Sequence, residues 1–371
     1  MPGTIIITGA TSPLAKHIIQ LLASRCRAYT LILTSRDPQK ISIPTGTPTS
    51  TDRIITKNLG LNSLSSVHDF ATTIATDIQI GLLPPLSSII CTASHWNLRK
   101  PKPKKRNKNK DEENEIESEI TDDGYERTFQ VNHIAHATLV LRLLAHFSRE
   151  EGGKIVLLDD GGCEHWRMLG ISRRDMDIYP RALPDDLDFL VKQETESQVT
   201  KNHITRGLQR YATSKLAMVT WMHALNRHLE EDIALNSISA VAVNPGTLTD
   251  SDFLRANTPF SLKFKSLFIT RPFLYFLRHL TCADSTRTAT MRTCAEAAVD
   301  IVQLATNTTP GQSGCVTLGD TLGRTDLSSS PMAASFSLDE DEDEMRQEAL
   351  WAKTLEWAKI SDANTALKVE Y

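Results

Sequence analysis

The chain has 371 residues, of which 40% are hydrophobic, and a formal net charge of −4. It is long enough to bury a substantial core, and its small negative charge argues against a nucleic-acid-binding protein. Its six cysteines include no C-x-x-C pair, and no apolar run reaches the roughly 18 residues that span a bilayer, so we expect a cytoplasmic protein with reduced cysteines, no metal site and no membrane span.

The first part of the chain alternates strand-like and helix-like segments. β-branched residues are frequent in the strand-like segments, and apolar residues recur with helical spacing between them. This alternation predicts an α/β fold with a Rossmann-type doubly wound parallel sheet and helices on both faces. The predicted strands are 4–7, 30–34, 53–59 and 88–92, and predicted helices extend to about residue 22 and from about 63 to 78.

The turn after the first predicted strand has the sequence TGATSPLA, from Thr8 to Ala15. A strand, a tight turn and a helix N-terminus together direct backbone N–H groups at a pyrophosphate. We expect this turn to bind a dinucleotide through Thr8, Gly9, Thr11 and Leu14.

A basic residue, Arg36, follows the second predicted strand. A basic side chain at this point suits the 2′-phosphate of NADP, whereas an acidic one would suit the ribose of NAD. We therefore expect NADP(H) as the cofactor. The alternative is that Arg36 is a solvated loop charge.

The composition changes abruptly after the fourth predicted strand. Residues 99–110 contain eight Lys or Arg, and residues 111–119 contain six Asp or Glu. Because such blocks cannot bury enough apolar surface to order themselves, we predict an exposed, disordered insertion over 97–120. A nuclear-localisation or anionic-surface role for its basic half is a second interpretation, although the acidic block neutralises much of that charge.

An apolar helix is predicted after residue 121, and it carries the polar residue Asn132. Because a buried amide needs hydrogen-bond partners, Asn132 is either a site residue or a satisfied core residue. The fifth predicted strand, 154–158, leads into Asp159 and Asp160. A long charged segment then extends to about residue 207, and we expect it to form a flap beside the site.

The chemistry is predicted to centre on Tyr211 and Lys215, within a predicted helix over 208–229. Residues four apart on a helix share one face. The ammonium group favours the phenolate, lowers the pKa of the phenol from about 10, and thereby allows proton exchange with a carbonyl or an alcohol. Surface helices also carry such pairs by chance. A sixth predicted strand, 237–243, ends in Asn-Pro-Gly-Thr at the sheet edge where ligands bind in such folds.

Several motifs agree in order and spacing with a known family. They are TGATSPLA, the TSR after the second strand, DGYERTFQVNHIAHATLVLRLL, YATSKLA and VNPGTLT. Together they resemble the short-chain dehydrogenase/reductase superfamily, and within it the retinol-dehydrogenase-like group that includes the WW-domain oxidoreductase. The resemblance covers residues 4 to about 360.

The resemblance implies roles for individual residues of this chain. Tyr211 would donate the proton, Lys215 would bind the nicotinamide ribose, and Asn132 would hold a water in the proton relay. The implied reaction interconverts a carbonyl and an alcohol, with the cofactor carrying the hydride. The other implied cofactor contacts are Asn58 near the adenine, Ala93 after the fourth strand, and Pro245, Gly246 and Thr247 beside the nicotinamide.

The chain departs from the family pattern at the cofactor turn and at the catalytic serine. Pro13 replaces the second glycine of the turn and lacks an N–H group that could bind the pyrophosphate. Asp160 replaces the serine that holds the substrate oxygen, and a carboxylate donates a hydrogen bond only when it is protonated. Two alternatives to a reductase follow. One is a catalytically weak dinucleotide-binding regulator or scaffold, and the other is a non-redox enzyme on the same fold.

We predict one Rossmann-type domain over 1–325, followed by a linker and a C-terminal helix over 326–371. Residues 253–290 resemble the family's substrate cap, which implies a bulky apolar substrate such as a lipid, a steroid or a secondary-metabolite intermediate. A shallow membrane-surface contact through residues 253–280 is an alternative.

The sequence also supports predictions about the packing of the last helix and the oligomeric state. Trp351, Leu355 and Trp357 are expected to pack the C-terminal helix on the body of the domain. The resemblance implies a homodimer that pairs through the helices bearing Asn132 and Tyr211.

Overall fold

The computed structural model describes twelve stretches of the chain: residues 3–26, 28–43, 53–99, 119–159, 183–192, 203–248, 250, 257–260, 264, 291–306, 314–317 and 340–368. Several sequence predictions fall on other residues. Those that lie outside the described residues are the charged insertion from 100 to 118, most of the flap, most of the cap, the linker before residue 340, and Asp160.

The described residues form nine strands and seven α-helices. The strands are β1 (Thr4–Thr8), β2 (Thr30–Ser35), β3 (Ile54–Asn58), β4 (Leu86–Cys91), β5 (Gly153–Leu158), β6 (Ile238–Asn244), β7 (Thr247–Leu248), β8 (Met291–Arg292) and β9 (Gly314–Thr317). The helices are α1 (Pro13–Arg25), α2 (Leu64–Gln79), α3 (Arg127–Phe129), α4 (Ala135–Leu143), α5 (His203–Glu231), α6 (Cys294–Thr306) and α7 (Glu340–Trp357). A π-helical turn, Gln130–Ile134, joins α3 to α4.

Seven of the described strands form one parallel sheet in the order β3-β2-β1-β4-β5-β6-β9. The chain runs outward from β1 to β3 and then returns to place β4 on the other side of β1. At such a reversal the loops after the two strands diverge and leave a crevice at the carboxyl edge of the sheet. The predicted doubly wound parallel sheet is confirmed, and the crevice lies beside the predicted dinucleotide turn.

Helices cover both faces of this sheet. Along β1, Ile5 and Ile7 belong to the core that includes α1 and α6, whereas Ile6 belongs to the core that includes α2, α4 and α5. Successive side chains of a strand point to opposite faces, so an uninterrupted run of isoleucine indicates a strand buried on both sides. All five residues of β1 are buried, in agreement with this reasoning.

Two elements begin at least two residues earlier than predicted. β4 starts at Leu86 rather than at residue 88, and its early residues Ser87 and Ser88 are polar yet buried. α5 starts at His203 rather than at residue 208. Its polar first turns contain Gly207, where an added Cβ would lie 2.1 Å from the carbonyl oxygen of Asn97. The close contact between Gly207 and Asn97 therefore stabilises helical structure in a stretch where the hydrophobic pattern did not predict a helix.

Helix α7 packs against α5 and against the start of the helix that bears Asn132. The Trp351 indole stacks on Trp221 with 6.1 Å between ring centroids, and Trp357 meets Phe129 edge to face at 5.6 Å. Trp351, Leu355 and Trp357 are all buried, which confirms their predicted packing role.

The residues that follow α7 continue across the same face of the molecule. The Ala358 carbonyl oxygen lies 3.0 Å from Nε2 of His68 on α2, and Arg142 of α4 donates to the Asn364 carbonyl at 3.0 Å. Ile360 and Leu367 are buried beside them. Residues 340–368, which we call the C-terminal strap, thus connect α5, α4 and α2.

Among the described helices, none combines the length and the apolar character needed to cross a membrane.

Three cysteines of the described residues, Cys26, Cys91 and Cys294, carry free thiols. Burial raises the pKa of Cys91 to about 12, against an opposing effect of the nearby Lys215 charge.

Candidate active site

The turn after β1 brings the N-terminus of α1 to the crevice. Gly9 has φ +65°, and an added Cβ there would lie 2.8 Å from Cα of Ala93, so the residue needs both the left-handed conformation and the absence of a side chain. The Ser12 hydroxyl caps α1 by accepting a hydrogen bond from the Ala15 N–H at 3.1 Å. Pro13 occupies the first turn of the helix, where a missing N–H costs no intrahelical hydrogen bond.

A cavity of about 450 Å³ opens at this turn. It extends from the turn to the end of β2, the loop after β3, the segment after β4 and helix α3. Four predicted cofactor residues line it, namely Gly9, Thr11, Arg36 and Ala93. Of the described residues that line this cavity, two are arginines, Arg36 and Arg127, and none is Asp or Glu. The cavity therefore suits an anionic ligand.

His95 lies on the wall of this cavity. Burial, together with smaller effects of the Arg127 and Arg36 charges, lowers the pKa of its imidazole to about 4. The ring is therefore neutral at neutral pH.

The Asn132 amide is fully buried and fully engaged. Its Oδ1 accepts from the His95 N–H at 2.7 Å, while its Nδ2 donates to the His95 carbonyl at 3.0 Å and to the Ser214 hydroxyl at 2.9 Å. These contacts fasten the segment after β4 to helix α5. The side chain satisfies its hydrogen bonds within the protein, so its role toward a relay water stays a prediction.

A hydrogen-bonded chain links the dinucleotide turn to the backbone of Asn132. The Ala93 N–H donates to the Thr8 hydroxyl at 3.1 Å, and that hydroxyl lies 3.1 Å from Nε2 of His136. Nδ1 of His136 lies 3.2 Å from the Asn132 carbonyl oxygen. Because a carbonyl can only accept, the ring carries its proton on Nδ1 and accepts from Thr8 through Nε2. Burial lowers the pKa of His136 to about 4, which keeps the ring neutral.

Tyr211 and Lys215 lie together on α5, as their spacing predicts. The Lys215 ammonium lies 5.7 Å from the centroid of the Tyr211 ring and donates to the Leu158 carbonyl at 2.6 Å. Leu158 is the last residue of β5, so the pair lies at the carboxyl edge of the sheet. Both side chains are buried, with 2% of Tyr211 and 4% of Lys215 exposed.

Trp96 connects this pair to the cavity. It is one of the residues that line the cavity, and its ring meets the Tyr211 ring edge to face, with 5.4 Å between centroids. Asn257 holds the segment by donating to the Trp96 carbonyl at 3.2 Å, and the Leu98 N–H donates to the Asn257 carbonyl at 2.9 Å.

Leu14, Asn58 and Gly246 are predicted site residues that do not line this cavity. Leu14 is buried in the core under α1, and the Asn58 amide donates to the Arg36 carbonyl at 2.9 Å. Gly246 follows Pro245 after β6, with φ +74°, and its N–H donates to the Asn244 side chain at 2.9 Å. Thr247 begins β7, with its side chain outside the description, and Asp160 lies outside the described residues.

Sequence reasoning missed most of the cavity wall, including His95, Trp96, Arg127 and Asn257. Of these four, only Arg127 had a detectable signal. It stands four residues before Val131, which also lines the cavity, so the two share a helical face that ends beside Asn132. The other three lie in irregular segments, where residue spacing does not indicate which way a side chain points.

The chain is similar to several known proteins. A family model described as the AcuH dehydrogenase domain matches residues 251–367. The dehydrogenase acuH of Aspergillus aculeatus is 34% identical over 119 residues, which are 31% of this chain and 98% of that protein. The short-chain dehydrogenase iccH of Talaromyces variabilis is 25% identical, across 99% of this chain and 98% of that protein. Human retinol dehydrogenase 13 is 24% identical, across 66% of this chain and 59% of that protein.

Solved structures share the fold. An uncharacterised protein from Mycobacterium paratuberculosis superposes with a TM-score of 0.53 at 20% identity, covering 97% of this chain and 96% of that one. An actinorhodin polyketide ketoreductase variant, crystallised with NADPH, gives a TM-score of 0.52 at 12% identity, covering 86% and 96%. The motifs, the topology of the sheet and these relatives agree: the chain belongs to the short-chain dehydrogenase/reductase superfamily of oxidoreductases.

Proposed function

We propose that the protein is an NADP(H)-dependent oxidoreductase that interconverts a carbonyl and an alcohol on an apolar small molecule. The observation that carries this proposal is the buried Tyr211–Lys215 pair, bound to the end of β5 beside a cavity suited to a dinucleotide. We further propose a cytoplasmic location.

The residues present fit a dinucleotide. Gly9 lines the cavity with its backbone alone, and the α1 N-terminus adds a positive helix end close to it. Arg36 suits the 2′-phosphate, and no described residue of the wall carries an opposing carboxylate. Thr11, Ala93 and Arg36 would hold the adenosine and phosphate groups.

The protein's own residues would handle the proton. A bound nicotinamide would supply or accept the hydride. Tyr211 would give a proton to the carbonyl oxygen or take one from the alcohol, and the adjacent Lys215 charge favours the phenolate form that this exchange needs. The Leu158 carbonyl fixes the ammonium in place, so Lys215 keeps one position relative to the ring.

Two observations support the proposed substrate class. The human relative is named a retinol dehydrogenase, and the region that resembles the family's cap mixes Phe, Leu and Tyr between residues 253 and 280. Both favour a bulky apolar substrate. A shallow membrane-surface contact through the same region is compatible with such a substrate.

Titration with NADPH and NADH tests the cofactor proposal. We expect nicotinamide fluorescence to report binding of both, with tighter binding of NADPH. An Arg36→Leu variant should lose most of that preference, because the charge that suits the 2′-phosphate is gone. If the protein binds neither dinucleotide, the oxidoreductase proposal fails.

A panel of apolar ketones and aldehydes with NADPH tests the chemistry. Replacing Tyr211 by Phe should lower turnover by about 100-fold or more while leaving NADPH binding intact, since only the proton donor is removed. A Tyr211→Phe variant that turns over at the wild-type rate would exclude the assigned role.

A second candidate function rests on Asp160. A carboxyl group in place of the family's serine favours non-redox chemistry, or a dinucleotide-binding regulator or scaffold with little turnover. An Asp160→Ser variant separates these functions: an impaired reductase should gain rate, whereas a site that uses the carboxylate should lose it.

We infer that the chain does not pair through the helices of Asn132 and Tyr211 as the family resemblance implies. The C-terminal strap packs on those helices through Trp351 and Trp357, so the chain itself occupies that face. Sedimentation should show a monomer or a dimer formed elsewhere. A dimer cross-linked through the outer face of α5 would contradict the inference.

A further inference from the structure

The geometry points to Arg127 as a second specificity-determining cation of the cofactor cavity, which acts with Arg36 to select the 2′-phosphate of NADP(H). This inference rests on the proposed function, because it concerns how the same cavity chooses its dinucleotide.

Two separate elements supply the positive charge of the cavity. Arg36 directly follows β2, and Arg127 is the first residue of α3. Both line the cavity, together with neutral residues of the turn after β1. The chain as a whole carries a net charge of −4, so two arginines without a carboxylate in the described wall are a local departure from its composition.

The acidic neighbours of the two arginines are engaged elsewhere. Asp37, next to Arg36, pairs with Lys40 at 3.0 Å. Glu126, next to Arg127, accepts from the Phe129 N–H at 2.8 Å and lies 3.9 Å from Arg210 on α5. Neither acid is among the described residues that line the cavity.

The backbone holds Arg127 in place at the cavity. Its N–H donates to the Glu119 carbonyl at 2.7 Å. One helical turn later, Val131 lines the same cavity, so this face of the helix is directed at the ligand space. The following residue, Asn132, is fastened to His95 and Ser214, which fixes the position of the whole turn.

His95 lies on the same cavity wall as the two arginines. Its ring is part of the wall, and the charges of both Arg127 and Arg36 lower its pKa in addition to the effect of burial. Because the ring is neutral at neutral pH, the described wall offers a phosphate dianion the charges of the two arginines. Charge-assisted contacts to phosphate strengthen with each cation that can reach it.

The test uses the full chain and measures the affinities for NADPH and NADH separately. Arg127→Leu removes the charge, Arg127→Lys keeps it, and Arg25→Leu is a control that removes an arginine from the exposed end of α1, remote from the cavity. In Arg127→Leu we expect NADPH affinity to fall about tenfold and NADH affinity to change by less than about twofold. Arg127→Lys should keep most of the preference for NADPH over NADH. The Arg25→Leu control should bind both dinucleotides with wild-type affinity.

Two results would overturn the inference. An equal loss for both dinucleotides would assign Arg127 to the common part of the cofactor, and no loss for either would remove it from the site. If wild-type protein binds neither dinucleotide, the proposed function fails instead. Should Arg127→Leu not fold, Arg127→Gln serves in its place, and a wild-type ratio of NADPH to NADH affinity in that variant would equally overturn the inference.

Discussion

Lowering the pH should destabilise this protein through two buried histidines of the helix that bears Asn132. Only 1% of His133 and 1% of His136 is exposed. Burial lowers the pKa of His133 to about 3 and that of His136 to about 4, from an ordinary value of 6.5. As the pH falls below 6.5, the unfolded chain takes up protons at these rings and the folded protein does not, so stability falls with pH.

The size of this effect follows from the shift in pKa. With an unfolded pKa of about 6.5, each ring costs about 2 kcal/mol of folding free energy at about pH 5, relative to about pH 7.5. The two rings together cost about 4 kcal/mol, a large part of the 5–15 kcal/mol typical of a folded domain. The loss should continue until the pH reaches the folded pKa values.

Urea unfolding followed by tryptophan fluorescence, at about pH 7.5 and about pH 5, measures this loss. His136→Gln removes one titrating ring, so the loss between the two pH values should shrink by about 2 kcal/mol. Val140→Ala on α4 is the matched control, because it creates a cavity in the same buried helix without removing a titrating group and should retain the full loss. A wild-type loss below about 1 kcal/mol, or an unchanged loss in His136→Gln, would refute the reasoning.

Three further predictions concern packing and backbone geometry. Gly9→Ala should lower the free energy of unfolding by about 1–3 kcal/mol and weaken NADPH binding. Gly81→Ala, at φ +76° with nothing within 4 Å of the added Cβ, should lose only the part of that stability that comes from backbone conformation. Thermal unfolding and NADPH titration compare the two variants. Trp357→Ala should cost about 3–5 kcal/mol in urea unfolding, and a cost below about 1 kcal/mol would contradict the packing described for α7. Asn226→Ala should cost about 2 kcal/mol or more, because the side chain bonds both the N–H and the carbonyl of Ala240; wild-type stability would show that water replaces it.

Local patterns were sufficient to predict the sheet and the proximity of Tyr211 and Lys215. A run of isoleucines indicates a strand buried on both faces, and a spacing of four residues brings Tyr211 and Lys215 together on any helix. Both inferences depend on neighbours in the sequence. They therefore held without knowledge of the tertiary structure.

The remaining features of the site depend on contacts between distant segments. Which backbone groups satisfy Asn132 depends on where the segment after β4 passes, and which helical face of Arg127 meets the cavity depends on how α3 packs. The start of α5 at His203 depends on the close contact between Gly207 and Asn97. Residue spacing alone contains none of these distances.

The C-terminal strap has a consequence for the order in which the protein is made. His68 and Ala358 bond across 290 residues of sequence, and His133 and Thr354 bond across 221. At a synthesis rate of about 5–20 residues per second, the C-terminal strap is synthesised on the order of tens of seconds after α2. Throughout that time Trp221 and Phe129 lack the tryptophans that cover them in the finished fold. A ribosome that stops before residue 340 thus releases a chain with an open apolar helix face, which favours chaperone binding or aggregation.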